Sequence, residues 1–307
     1  MIRMPGQSYR GTLPPLTDAQ RGISSRLRAD VDRLTGSIGR RSTFHPRQLA
    51  ESMLFVKTEL AAAGYEPRDH SFVERGTATP NLDAVLPGTA VPSEIVLVGA
   101  HVDSFQGTPG ADDNASGVAA LLALARSMAG SPLPRTVRFA FFVNEEPPSF
   151  QQPDMGSLVY AKKCRADREN IIAMLSLESI GYYRTEPGSQ KYPAPFSLAY
   201  PSTGDFVAFV GDTSSRALVR CTVASFREST PFPSEGAAPP GSIPGVMWSD
   251  HWAFREHGYP AIMVTGTAPF RNPNYHQPTD TSDTLDYGRL ARVVQGLERV
   301  VRALASE

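Results

Sequence analysis

The chain has 307 residues, 41% of them hydrophobic, with 30 basic and 31 acidic side chains and a net charge of −1. That balance describes a globular protein able to bury a sizeable core, and it supplies no bulk charge for nucleic acid or a membrane surface. No apolar run reaches the roughly 18 residues of a membrane span, and Cys164 and Cys221 are too few and too far apart for a disulfide framework. The opening MIRMPGQSYRGTLPPL lacks the apolar stretch of a signal peptide, so the chain as given reads as cytoplasmic, with secretion open if the true N-terminus is missing.

Residues 1–16 read as an extended arm, followed by helices over 17–36 and 46–64. In the second helix Leu49, Met53, Val56 and Leu60 recur at helical spacing, and Gly64 ends it. NLDAVLPG and EIVLVGAHVD read as strands, the latter almost continuously apolar, as a fully buried strand would be. A helix over 115–129, the strand TVRFAFFVNEE, a helix over 156–166 and the strand IIAMLSLESIGY follow. The strand DFVAFVGD, a helix over 213–226, a short helix over 251–257, the strand PAIMVTG and a helix over 284–304 complete the chain. This alternation predicts one α/β domain over 1–307, with a mostly parallel sheet between two helical layers. The Pro/Gly/Ser-rich segments 145–156, 184–204 and 229–247 read as loops long enough to shape a functional site.

Charged residues collect where these strands end. His101 and Asp103 close one strand, and Asp113 follows in the next turn. Glu145 and Glu146 close another, Glu178 a third, and His276 lies beyond the last. Ligands of an open parallel sheet bind outside the carboxyl ends of its strands. Each residue alone has a plainer explanation. His101 could be a hydrogen-bonded histidine, Asp113 a helix cap before the Ala-rich helix, the Glu145–Glu146 pair a solvated turn before Pro147, and His276 an ordinary loop residue. Glu178 resists such a reading, because it ends a core strand and glutamate is almost never buried unpaired. A histidine and several carboxylates brought together out of water are best satisfied by a metal ion.

The segments HVDS, GADDNASG, NEE, SDHWAF and YHQPTDT resemble those of the co-catalytic zinc aminopeptidases. That family includes bacterial leucine aminopeptidases and is related to glutamate carboxypeptidases and glutaminyl cyclases. The resemblance runs from about residue 46 to the C-terminus and implies an α/β/α sandwich around a mixed sheet. It also implies two zinc ions, or other divalent metals, bridged by Asp113. One would be held further by His101 and Glu178, the other by Glu146 and His276. Glu145 matches the general base, Asp103 the carboxylate that orients the His101 ring, and Tyr275 a phenol that polarises the scissile carbonyl. Asp250 and Asp280 match supporting positions, and relatives carry a cis peptide just after the bridging aspartate, here Asp113–Asn114.

One position departs from the pattern. The usual family pattern has aspartate where this chain has Glu178 in LESIG, whereas related dinuclear carboxypeptidases sometimes carry glutamate there; the extra methylene moves the carboxylate by about one C–C bond. The implied activity is that of an exopeptidase, most simply an aminopeptidase acting on peptides or amino-acid amides. Carboxypeptidase action, a single-zinc glutaminyl-cyclase-like acyltransferase and a non-catalytic peptidase-like binding domain are the alternatives. The last normally loses ligands or the base, whereas this chain keeps all five ligands and Glu145.

Overall fold

A computed structural model of the protein describes residues 3–74, 77–194 and 196–306. Residues 1 and 2 of the expected arm, and residue 195 in the expected loop 184–204, lie outside the described residues.

Helix α1 (Asp18–Asp32) starts at a capping box: Thr17 Oγ1 accepts from the Gln20 amide at 3.2 Å, and Gln20 Oε1 accepts from the Thr17 amide at 3.0 Å. Its last turn widens into a π-helical segment over Arg33–Ile38. Helix α2 (Pro46–Ala62) carries proline in its first turn, where no amide partner is needed, and gives way at Gly64 with φ 92°. There follow β1 (Arg68–Glu74), β2 (Thr77–Leu86), β3 (Val91–His101), α3 (Gly117–Met128), β4 (Arg135–Phe142), α4 (Gly156–Ala166) and β5 (Asn170–Glu178). The remainder comprises β6 (Val207–Val210), α5 (Arg216–Ser229), β7 (Ser234–Ala237), α6 (His251–Glu256), β8 (Ala261–Thr265), α7 (Ala268–Arg271) and α8 (Tyr287–Ser306).

The eight strands form one mixed sheet in the order β1-β2-β4-β3-β5-β8-β6-β7. Pairings β4–β3, β3–β5, β5–β8 and β6–β7 are parallel, and the other three are antiparallel. The period-two alternation of a strand divides its side chains between two cores. Val96, Val98 and Ala100 of β3, with Val137, Phe139 and Phe141 of β4, face the layer that contains α1, α2, α3, α5 and α8. Ile95 and Leu97, with Ala140 and Phe142, face Tyr160 of α4 and Phe254 of α6. Full burial of each such side chain contributes about 1.5–3 kcal/mol, so the expected three-layer sandwich follows from strands that are apolar on both faces. Gly99 is required in β3, because a Cβ there would lie 2.5 Å from Phe142 Cε2.

Two strands were not read from the sequence. RDHSFVE of β1 is mostly polar, and SEGA of β7 is four residues with a glycine. Both are edge strands, which need no continuous apolar run. The inner strands β4, β3, β5 and β8 run the same way, so their carboxyl ends open on one rim of the sheet.

Candidate metal centre

At that rim the expected ligands converge as two groups of three. His101, Asp113 and Glu178 form one; Asp113, Glu146 and His276 form the other, with the ligand atoms of each group within 4.8 Å of one another. Asp113 Oδ1 lies 3.3 Å from His101 Nε2, and Asp113 Oδ2 lies 3.1 Å from His276 Nε2. One carboxylate therefore faces both groups, an oxygen to each. Glu178 Oε2 closes the first group at 3.3 Å from His101 Nε2, and Glu146 Oε2 closes the second at 3.3 Å from His276 Nε2. Glu145 belongs to neither group; its Oε2 stands 4.0 Å from His101 Nε2.

The local chain path is fixed by polar contacts to the backbone. The Asp113–Asn114 peptide is cis, as the family resemblance implied, and both residues leave helical geometry immediately before α3. Asp280 accepts from the Asp112 amide at 2.9 Å and the Asp113 amide at 3.1 Å, so its carboxylate holds the turn that presents Asp113. The helix-capping role considered for Asp113 falls to Asn114, whose Oδ1 accepts from the amides of Gly117 and Ser179. The Asn114 amide group donates to the Leu177 carbonyl, linking this turn to the end of β5. Arg41 is fully buried and donates to the carbonyls of Val102, Pro109 and Gly110, bracing the loop from the other side.

Asp103 borders His101 through both its main chain and its carboxylate: the carbonyl lies 3.1 Å and Oδ1 3.7 Å from His101 Nδ1. The Asp103 carboxylate also accepts from the amides of Glu145 and Glu146, at 3.2 and 3.0 Å. Glu178 Oε1 accepts from Ser179 Oγ at 2.7 Å and Oε2 from Ser249 Oγ at 2.8 Å. The Tyr275 ring stacks on His276 at 3.8 Å between centroids, and Phe105 stacks on the same imidazole at 3.9 Å. Asp250, just before α6, is completely buried, and burial pushes it up to about 7. Arg41, Phe105 and Ser249 were not singled out from sequence; only the juxtaposition of distant segments gives them a role.

The donor set fits a metal. His101 Nε2, Asp113 Oδ1, Glu146 Oε1 and His276 Nε2 are buried without a hydrogen-bond partner among the described residues, although His101 Nε2 and Asp113 Oδ1 stand only 3.3 Å apart. Burial, reinforced by the Asp113 charge, pushes Glu146 up to about 8, and burial raises Glu145 well above the carboxylate range. Clustered carboxylates out of water are stabilised by cations, and a mixture of imidazole and carboxylate donors suits zinc.

Residues 81–301 match the family model described as Peptidase family M28. The chain belongs to that family. It is therefore a member of a zinc metallopeptidase family, as its motifs implied. The M28 chain is 38% identical to the uncharacterized protein YfbL of Escherichia coli (strain K12) over 282 residues, covering 89% of this chain and 85% of that one. It is 28% identical to a probable leucine aminopeptidase of Arthroderma otae over 240 residues, 73% of this chain and 58% of that relative. Its fold is similar to that of LapB from Legionella pneumophila, with a TM-score of 0.75 at 19% identity over 98% of this chain and 79% of that one. It is also similar to BSAP, a zinc aminopeptidase from Bacillus subtilis, with a TM-score of 0.72 at 13% identity over 92% and 95% of the two chains. No helix among the described residues is long and apolar enough to cross a membrane.

Proposed function

We propose that this M28 protein is an aminopeptidase that holds two zinc ions with Asp113 as the shared ligand. The observation that carries this reading is the division of the Asp113 carboxylate between His101 and His276, at 3.3 and 3.1 Å. His101, Asp113 and Glu178 would hold one ion, and Asp113, Glu146 and His276 the other. When bound, the ions supply Lewis-acid polarisation of the scissile carbonyl and lower the pKa of water.

The chain's own residues supply the proton transfers and the positioning. Glu145 Oε2 takes a proton from the attacking water as its oxygen adds to the carbonyl carbon. The same atom then returns the proton to the departing nitrogen as the C–N bond breaks. The amides on either side of this carboxylate are held by Asp103, which keeps Oε2 in place. Burial holds the Tyr275 phenol protonated, so it can donate a hydrogen bond to the carbonyl oxygen as charge develops there.

The adjoining cavity favours the amino end of a substrate. It opens beside Glu178, Ser179 and Tyr275 and is lined largely by apolar side chains, with Glu178 and Glu235 its charged groups. No lysine or arginine lines it among the described residues, so it presents no cation for a C-terminal carboxylate. The complete second group of ligands favours this reading over a single-zinc acyltransferase. A panel of amino-acid p-nitroanilides, N-acetylated analogues and N-blocked dipeptides with free C-termini tests it. Release from free-amine substrates, lost on chelation and restored by zinc, is expected; turnover confined to blocked or C-terminal substrates overturns the assignment.

A further inference from the structure

The cavity floor is a row of residues paired across four strands. Glu178 of β5 pairs with Thr265 of β8, Thr265 with Ala208 of β6, and Ala208 with Glu235 of β7. Residues in register point to the same face of a sheet, and all four line the cavity. Three strand spacings of about 4.8 Å place the Glu235 Cα roughly 14 Å from that of Glu178. A carboxylate thus stands at the end of the cavity remote from the candidate metal centre.

The walls between the two ends are aromatic. Phe196 and Tyr192 pack against Tyr200, with ring centroids 6.1 and 5.8 Å apart, and Phe206 completes this side. Glu235 has a counter-charge, Arg227, but at 3.5 Å between Oε2 and Nη2. The Arg227 donors are directed elsewhere: Nη2 to the Ser234 carbonyl at 2.6 Å, Nε to Ser234 Oγ, and Nη1 to the carbonyls of Pro5 and Gly6. Arginine there ties down the N-terminal arm, from which Ser8 donates to the Glu235 carboxylate and Arg10 adds a further nearby positive charge; the lone pairs of Glu235 beyond these contacts face the cavity it lines. Its side chain is only 17% exposed, and burial raises its pKa despite the nearby arginine.

We propose that Glu235 makes this cavity selective for a residue whose side chain is long, apolar along its stem and cationic at its tip, namely lysine or arginine. The inference rests on the aminopeptidase reading. A leucine side chain ends roughly three bonds from its Cα, whereas the lysine nitrogen lies about five bonds out and extends further along the row by about 2 Å. The apolar stem would lie on Ala208 and Met263, the tip would meet Glu235, and the tyrosine faces would favour a cation over a neutral group. A cavity selecting leucine would need no carboxylate at its far end.

The test is kcat/KM on the zinc-loaded protein for paired aminoacyl p-nitroanilides of nearly equal shape: lysine against norleucine, and arginine against citrulline. The wild type should favour the cationic member of each pair by about tenfold or more, the range for a hydrogen bond to a charged group. In Glu235→Gln both ratios should fall towards one, chiefly through KM. A wild type that treats lysine and norleucine alike, or prefers norleucine, overturns the proposal without any variant. So does a folded Glu235→Gln variant with undiminished ratios. Absence of turnover on every free-amine substrate would overturn the aminopeptidase reading and this inference with it.

Discussion

Glu178, a proposed ligand, is where the chain departs from the family motif it resembles, and its surroundings make the length of that side chain testable. Glu178→Asp withdraws the carboxylate by about 1.5 Å, one C–C bond. The 3.3 Å separation between Glu178 Oε2 and His101 Nε2 would then grow to about 4.8 Å. The hydrogen bonds from Ser179 at 2.7 Å and Ser249 at 2.8 Å would be stretched past their useful range together. Metal–ligand distances tolerate only about 0.2 Å, so the first ion should lose a ligand or force a backbone shift. Loss of supporting contacts around a ligand typically costs 10–100-fold in metal affinity, about 1.4–2.7 kcal/mol. Zinc affinities by competition with a chromophoric chelator, and bound zinc after gel filtration, measure the effect. The variant should bind one ion as the wild type does and the other at least tenfold more weakly. Two ions bound with unchanged affinities would show that the site does not depend on the glutamate's length, and the reasoning would be wrong.

Glu145→Gln should lower kcat by about 10²–10⁴-fold with zinc content unchanged, since it removes the proton carrier without touching either ligand group; near-normal turnover would move that role elsewhere. Asp280→Ala should destabilise the fold by about 2–4 kcal/mol, because the buried Asp112 and Asp113 amides both lose their acceptor. Urea unfolding measures it, and an unchanged midpoint would refute the cradle. Asp83, buried on β2, would be raised by burial, but hydrogen bonds from His70, Arg68 and Tyr160 bring it down to about 2. A depressed carboxylate stabilises the fold above its unfolded value near 3.9, and the contribution is lost as pH falls through about 2. Thermal unfolding from pH 5 to pH 2 should therefore fall less steeply in Asp83→Asn than in the wild type; equal slopes would contradict the assignment.

The fold was legible where burial is two-sided. β3, β4, β5 and β8 are nearly continuous apolar runs, and each of their polar terminal residues stood out against that background. Glu178 was the clearest case, a carboxylate closing MLSLE. The edge strands β1 and β7 left no such signal, because one side of each is unpaired and their residues need not be apolar. In the site, the ligand types at strand ends could be read, and the family motifs assigned them to two groups. The supporting contacts could not be read. Ser249 reaches Glu178 across 71 positions, Asp280 reaches Asp112 across 168, and Phe105 finds His276 only when two loops meet. Such contacts are set by tertiary packing, which leaves no periodicity in the chain. The contacts of Asp103 with His101 and with the two glutamate amides likewise depend on the path of the backbone.

Anomalous diffraction at the zinc edge, from crystals grown with zinc, shows whether a pair of ions shares Asp113. Two peaks about 3.5 Å apart are expected, one on each side of the Asp113 carboxylate, with His101 and Glu178 at one and Glu146 and His276 at the other. A single peak in a well-occupied crystal, with either group of residues turned away from it, would rule out the shared pair.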